Sequence, residues 1–258
     1  LHRRADPPRV IVSTNSLAST DAFAVYAMSY KHRKRYLKKF GFEIHELKPH
    51  APGPAVDYEL ANLDADTAHP SPQTASPAKA SRARLHLLGS SKASNLPAPL
   101  LSTGRRFGLH AKSIVVDDDF GMVGSHNFDP RSDHYNTESG VIVYDHAFSD
   151  QLRRVIMRDT QPQNAWVIAP RQPAVPVLTD INQAIGTFSE NLPFFDLWPF
   201  RYATSFDLKP GCLPMRASNP RFYACYRPVG DFPDVNLSTK LIITRLVTAF
   251  GVGAKGIL

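Results

Sequence analysis

"LHAKSIVVDDDFGMVGSHN", residues 109–127, contains two short apolar runs, IVV and MV, separated by three aspartates. This pattern predicts a β-hairpin whose acidic residues form the turn. Residues two positions apart on a strand project from the same face, so His110 and Lys112 are expected to point to one surface. Ser125 and Asn127 share a face in the same way on the returning strand. A hairpin of this length can bring the four side chains together.

The segments on either side of this hairpin alternate between strand and helix patterns. An apolar run predicts a buried strand at 9–14, followed by a helix that closes at Gly41 and a second strand at 42–47. The helical crossover makes these two strands parallel. A further strand is predicted at 138–145, and a helix at 146–159 with an inward face made of Phe148, Leu152, Val155 and Ile156. This alternation predicts an α/β sandwich with a mixed sheet flanked by helices.

Composition divides the chain into four segments. Residues 1–50 and 107–170 carry the ordered α/β pattern. Residues 51–106 are rich in Ala, Pro and Ser and predict a largely disordered insert or linker, because such a segment buries little apolar surface. Residues 171–258 form a Pro- and aromatic-rich C-terminal extension.

The charge balance favours anionic partners. The 258 residues include 30 Lys plus Arg and 23 Asp plus Glu, a net charge of +7 that suits phospholipid headgroups or nucleic acid. Six of the nine residues 31–39 are basic. This run is either an ordinary solvated helix face or a contact for headgroups or nucleic acid.

Cysteine and hydropathy patterns bear on the redox compartment of the protein and on its association with membranes. Cys212 and Cys225 lie 13 positions apart without a metal-ligand spacing, which favours two free thiols in a reducing cytosol. No stretch of 18 apolar residues occurs, and the first ten residues lack the apolar core of a signal peptide. We therefore expect a soluble chain or, at most, a peripheral membrane protein.

The side chains of the opening stretch suit the chemistry of a phosphodiester. The His110 imidazole can attack phosphorus or protonate a leaving oxygen, while Lys112 and Asn127 can stabilise charge on the phosphoryl oxygens. No metal or other cofactor is required by this set.

These residues carry a family resemblance. HAKSIVVD followed by GSHN resembles the HxKxxxxD and GSxN signature of the phospholipase D superfamily, the HKD motif. Residues 127–140 further resemble the NxDPRSxxxNxE continuation in bacterial cardiolipin synthases. The segment TNSLASTD, residues 14–21, is similar to the one that follows the first catalytic motif in the cardiolipin synthase C subgroup.

The resemblance implies a role for each matching residue. His110 is the motif histidine, Lys112 and Asn127 bind phosphoryl oxygens, and Glu138 orients a catalytic imidazole. Ser125 adds a hydrogen bond to the substrate. Asp117 lies at odd spacing from His110, which predicts a turn or salt-bridge role. The other residues assigned structural roles in the motif are Gly124, Asp129, Arg131, Ser132 and Asn136. The residues that either line the pocket or only form a turn are Asn15 and Ser16.

One departure from the family leaves the mechanism open. A phospholipase D site pairs two such motifs, whereas this sequence shows one. We expect the chain to be a C-terminal portion that starts after the first motif, one half of the usual pseudo-dimer. His110 is then the general acid and later the base, and the nucleophile lies on the missing half.

Three functions follow from this reading. The first is phosphatidyl transfer between phospholipids through a phosphohistidine intermediate, in a cytoplasmic enzyme peripheral to the inner membrane. The second is a phosphodiesterase or nuclease that completes its site as a homodimer, and the third is an inactive remnant that binds lipid. The cardiolipin synthase-like segments favour an anionic phospholipid substrate over nucleic acid. A missing N-terminal half or a second copy is the expected partner.

Overall fold

The fold is given by a computed structural model, and the structure describes the following residues of the chain. These are residues 7–30, 32–52, 96–104, 106–127, 132, 136–172, 202–242 and 244–245. The predictions for Asp129, Arg131 and most of the Ala/Pro/Ser insert lie outside the described residues.

The described chain forms two sheets and four helices whose bounds can be given. In chain order these elements are β1 (Ile11–Asn15), α1 (Phe23–Tyr30), α2 (Arg33–Lys38), β2 (Glu43–Leu47), β3 (Ser113–Val116), β4 (Phe120–Gly124), β5 (Gly140–Val143), α3 (His146–Asp159), β6 (Ala165–Pro170), β7 (Ala203–Leu208), α4 (Phe222–Cys225) and β8 (Tyr226–Gly230). One sheet has the order β1-β2-β6-β7-β8 and the other the order β3-β4-β5. The predicted mixed α/β class is confirmed. Among the described residues, no helix has the length and apolar character needed to cross a bilayer.

The first strands pair as predicted, but the crossover between them contains two helices. β1 and β2 are parallel. The single predicted helix instead ends at Tyr30 and begins again at Arg33, and the next turn closes at Gly41, whose φ is +67°. The break has a physical consequence, because Arg33 turns inward from α2 and reaches Glu46 on β2.

A buried polar cluster fixes α2 to β2. Arg33 is 7% exposed and Glu46 2% exposed, and the Arg33 guanidinium donates to the Glu46 carboxylate and to the Tyr26 hydroxyl, the latter at 2.8 Å. The guanidinium carbon lies 4.3 Å from the centroid of the Tyr30 ring. Burial disfavours the charged guanidinium, yet the adjacent Glu46 carboxylate holds the pKa of Arg33 above its ordinary value. Arg33 is therefore neither part of a solvated helix face nor a contact for headgroups or nucleic acid, the two interpretations of the basic run.

The hairpin of the opening stretch forms as β3 and β4. The two strands are antiparallel, and the Asp119 N–H donates to the Val116 carbonyl at 3.0 Å across the turn. Asp117 and Asp118 have φ values of 51° and 59°. Left-handed backbone at both central residues matches the twist of a tight hairpin, and Asp tolerates it better than most residues. Asp117 thus lies in the turn, while Asp118 makes an ion pair with Arg153 at 2.7 Å.

Helix α3 covers one face of the small sheet and matches the predicted helix. The Asp145 carboxylate caps it by accepting from the Phe148 N–H at 2.7 Å. A Cβ at Gly121 would lie 2.8 Å from the Phe148 ring and 3.1 Å from Leu152, so the helix sits directly on β4. The prediction that Val155 faces inward was wrong. Val155 is 38% exposed, whereas Phe148 and Leu152 on the preceding turns are the residues that reach β4 at Gly121.

The C-terminal extension belongs to the five-stranded sheet, since β7 pairs with β6 and β8 with β7. The free thiols predicted here are not observed. Cys212 and Cys225 form a disulfide with a Cα–Cα distance of 5.6 Å. The strand return explains this difference, because the Lys209 N–H donates to the Cys225 carbonyl at 2.8 Å and brings the two cysteines side by side.

The described end of the predicted insert also packs on the protein. Ala98 is fully buried, and Leu100 forms a bridge with Val235. Residues 96–104 therefore behave as part of the fold, although their composition predicts a linker.

Candidate active site

An open cleft of about 670 Å³ lies at one end of the three-stranded sheet. The lining residues are His110, Lys112, Ser125, Asn127, Asn136, Thr137 and Glu138. The structure thus brings together the four polar residues of the opening stretch and the predicted acidic residue. Asn136 and Thr137 were not predicted to line the cleft, and their only sequence signal is that they directly precede Glu138.

The hairpin register creates this grouping. His110 and Lys112 lead into β3, and Ser125 and Asn127 follow β4. The Gly124 N–H donates to the Lys112 carbonyl at 2.9 Å, which aligns the two chain segments at the cleft. Gly124 is required by a close approach, because a Cβ there would lie 2.6 Å from the Ser139 carbonyl oxygen.

Lys112 is held beside the histidine by a local hydrogen bond. Its Nζ donates to the carbonyl of His110 at 2.8 Å. An ammonium has three N–H donors, so this bond leaves Lys112 chemically able to donate to a further acceptor in the cleft. The lysine therefore places a positive charge within a few ångströms of the His110 backbone.

The Glu138 carboxylate accepts hydrogen bonds from neighbouring side chains of the motif. It accepts from the Ser125 hydroxyl at 2.5 Å, and the Ser139 N–H donates to the same hydroxyl at 3.0 Å. Hydrogen bonds from Ser125, Ser132 and Asn136 hold the pKa of Glu138 below its ordinary value. The carboxylate is thereby kept ionised and fixed in orientation within the motif.

Ser132 links this carboxylate to Asn127. It is 5% exposed, and its hydroxyl accepts from the Asn127 N–H at 3.2 Å. Because Ser132 also donates to Glu138, the positions of Ser125 and Asn127 are coupled through one carboxylate.

Asn15 and Ser16 lie outside the cleft lining. Ser16 is 1% exposed and its hydroxyl accepts from the Ser19 N–H at 3.0 Å, so of the two roles that the sequence left open the structure shows the turn role. The Asn15 side chain instead makes two hydrogen bonds to the backbone of Leu109, each 2.7 Å long. The turn after β1 folds under the chain that leads to His110, an arrangement that spacing along the sequence does not reveal.

The arrangement offers an imidazole, a fixed positive charge, an amide and an anchored carboxylate on one accessible surface. Such a set can bind the oxygens of a phosphate ester and move a proton to or from an ester oxygen.

Comparison with known proteins finds one family match and several similar proteins. Residues 63–160 match the family model described as "Cardiolipin synthase, PLD-like domain", a stretch that begins within the predicted insert. Cardiolipin synthase C of Escherichia coli (strain K12) is 28% identical over 158 residues, which cover 61% of this chain and 25% of that protein. Cardiolipin synthase B of the same strain is 37% identical over 71 residues, 26% of this chain and 17% of that protein.

The resemblance read from the motif is confirmed, since the chain is homologous to these cardiolipin synthases at modest identity. The chain spans about a quarter of the length of the first of these relatives. No solved structure matches it.

Proposed function

We propose that this chain supplies a catalytic half of a phospholipase D-type phosphatidyltransferase related to cardiolipin synthase. The observation that carries the proposal is the cleft in which His110, Lys112, Ser125 and Asn127 meet. The homology to cardiolipin synthases favours a phospholipid phosphodiester as substrate. A net charge of +7 suits an anionic lipid surface, and the protein would approach it peripherally from the cytoplasm.

The reaction would proceed in two displacements at phosphorus. In the first, a nitrogen of one neutral histidine bonds to phosphorus while the bond to the leaving alcohol breaks. The imidazolium of a second histidine gives the leaving oxygen its proton. In the second, the resulting neutral imidazole takes the proton from an acceptor hydroxyl, whose oxygen attacks the phosphohistidine and restores the free histidine. His110 would be the acid and later the base.

The remaining cleft residues would stabilise the charge that develops at phosphorus. Lys112 and Asn127 would donate to the phosphoryl oxygens, and Ser125 would add its single O–H donor when that hydroxyl turns from Glu138 to the substrate. In this structure the Glu138 carboxylate accepts from the Ser125 hydroxyl. The same carboxylate would orient a catalytic imidazole. The nucleophilic histidine would come from another part of the protein or from a second copy of this chain.

The test is phosphatidyl transfer from phosphatidylglycerol vesicles, with the molar mass measured by light scattering on the same sample. His110→Ala should lower transfer by about 10²–10⁴-fold, the usual contribution of a general acid–base group. His146→Ala is the matched control, because His146 is an exposed histidine that contacts the Asp118 carbonyl outside the cleft. Equal activity of both variants would remove His110 from the mechanism.

The same preparation also separates the competing functions. Cardiolipin formed by a dimer would mean that a second copy completes the site. Cleavage of an oligonucleotide without lipid turnover would replace the proposal with a nuclease function. A folded protein that binds the vesicles and turns over neither substrate would favour the lipid-binding remnant.

A further inference from the structure

The turn that follows β1, residues 15–20, is joined to the chain that leads to the cleft. Asn15 Nδ2 donates to the Leu109 carbonyl at 2.7 Å, and the Leu109 N–H donates to Asn15 Oδ1 at 2.7 Å. The side-chain amide therefore satisfies both backbone groups of Leu109, as a neighbouring strand would. Leu109 directly precedes His110 in the sequence.

A buried serine pair fixes the orientation of the Asn15 amide. The Ser19 hydroxyl donates to Asn15 Oδ1 at 3.1 Å, and the Ser16 N–H donates to the Ser19 hydroxyl at 2.9 Å. Ser16 and Ser19 are each 1% exposed. A flipped amide would place its NH₂ group against the Leu109 N–H and lose these bonds, so the amide has one favourable orientation.

Further contacts hold the same lead segment. Arg106 donates to the Thr20 carbonyl at 3.3 Å, and the Phe107 N–H donates to the Pro49 carbonyl at 2.8 Å. Gly108 passes so close to the turn that a Cβ there would lie 3.0 Å from the Ser19 carbonyl oxygen. Residues 106–109 are thus fixed to the five-stranded sheet just before His110.

We propose that Asn15 is a positioning residue for His110, acting through the Leu109 backbone. The inference rests on the proposed function, since it assigns Asn15 a part in placing the catalytic imidazole. Asn15 does not line the cleft and is separated from Leu109 by 94 positions. Its role is to fix the Leu109 backbone relative to β1, and thereby the position of the His110 imidazole. A displacement of about 1 Å at a reacting group costs about a hundredfold in rate.

The first test is kinetic. Asn15→Ala removes both hydrogen bonds to Leu109, and Asn15→Asp keeps an acceptor while removing the donor. Both are expected to lower the kcat of phosphatidyl transfer, Asn15→Ala by about a hundredfold, with KM within about threefold. Asn219→Ala is the matched control, because Asn219 Oδ1 accepts from the Arg221 N–H far along the chain and should leave kcat unchanged.

A second readout does not depend on activity. Loss of the Asn15 bond should speed hydrogen exchange of the Leu109 amide by about tenfold, the worth of one hydrogen bond, and change the rate at which diethyl pyrocarbonate modifies His110. Both are measured well below the unfolding midpoint of each variant. Unchanged kcat, or unchanged exchange and modification, in Asn15→Ala would overturn the inference. If the wild-type chain transfers no lipid, a second copy does not complete the site and that form of the proposed function fails, while the exchange and modification rates still decide whether Asn15 positions His110.

Discussion

The cleft and the buried cluster of Tyr26, Arg33 and Glu46 use charge in opposite ways. In the cleft, Lys112 and Glu138 are bound by neighbours in their own motif and stay accessible. In the buried cluster, Arg33 and Glu46 join a helix to a strand and are almost completely covered. Burial therefore distinguishes a charge that stabilises the fold from one that can meet a substrate, although both regions hold charged residues bound by hydrogen bonds.

The largest expected effect lies in the buried cluster. Glu46→Gln leaves the Arg33 guanidinium buried without its counter-charge and should cost about 3–5 kcal/mol of unfolding free energy. Glu43→Gln is the matched control, because Glu43 meets Arg9 at 2.8 Å and Arg216 at 3.1 Å and both arginines are about half exposed. This substitution should cost about 1 kcal/mol or less for each ion pair. Urea unfolding measures both. Similar losses in the two variants would mean that burial does not distinguish these pairs.

The next effect lies in the cleft and should appear in activity. Lys112→Met removes the proposed donor to the developing phosphoryl charge and should lower transfer by about 10²–10³-fold. Its unfolding midpoint should stay near the wild-type value, since the lost side-chain hydrogen bond runs to the His110 carbonyl two residues away. Lys209→Met is the control, because Lys209 donates to the Ala224 carbonyl at 2.6 Å in a similar exposed contact. A large stability loss in Lys112→Met would make the cleft lysine structural.

A smaller effect is expected where the backbone itself forms the cleft. Gly124→Ala places a methyl group 2.6 Å from the Ser139 carbonyl oxygen, which forces β4 and β5 apart and should cost about 1–3 kcal/mol. Gly140→Ala, across the same strand pair, meets its nearest atom at 3.5 Å. Thermal unfolding compares the two. If Gly124→Ala is no less stable than Gly140→Ala, the close approach of these strands does not hold.

The smallest effect concerns protonation. The pKa of Glu138 lies below its ordinary value of 4.5 mainly because the Ser125 hydroxyl donates to the carboxylate. Ser125→Ala should therefore raise this pKa toward 4.5. Carbon NMR titration of the glutamate side chains measures the shift, with Asp150 as an internal reference held by Arg153. No change would mean that Ser125 does not stabilise the ionised form.

The sign of the corresponding pH dependence follows directly. A carboxyl group whose folded pKa is depressed adds stability that is fully present above its ordinary pKa. For Glu138 this contribution should be lost as the pH falls from about 4.5 through the lower folded value. In Ser125→Ala that acid-dependent loss should shrink.

Local patterns predicted the parts of the molecule that depend on neighbouring residues. The β3–β4 hairpin, α3 and the parallel pairing of β1 with β2 were all visible as apolar periodicity and turn residues. The cleft could also be predicted, because the two ends of one hairpin bring His110 and Lys112 beside Ser125 and Asn127.

Contacts between distant parts of the chain could not be predicted in this way. Arg33 lies in a basic run typical of a solvated helix face, yet its side chain pairs with Glu46 on β2. Asn15 reads as a turn residue in the sequence, yet its side-chain amide donates to the Leu109 carbonyl on the segment that leads to β3. The pairing of Cys212 with Cys225 depends on the return of β8 against β7, which no cysteine spacing specifies.

A binding experiment tests most directly whether the exposed cleft takes a phosphodiester. A soluble short-chain phosphatidylglycerol would be titrated into the full chain while amide NMR signals are followed, for the wild type and for Lys112→Met. If the lipid binds in the cleft, the shifts should be concentrated at residues 109–127 and 136–139, and they should be weaker in Lys112→Met while the fold stays intact. Shifts that lie elsewhere, or that are the same in both proteins, would contradict binding in the cleft.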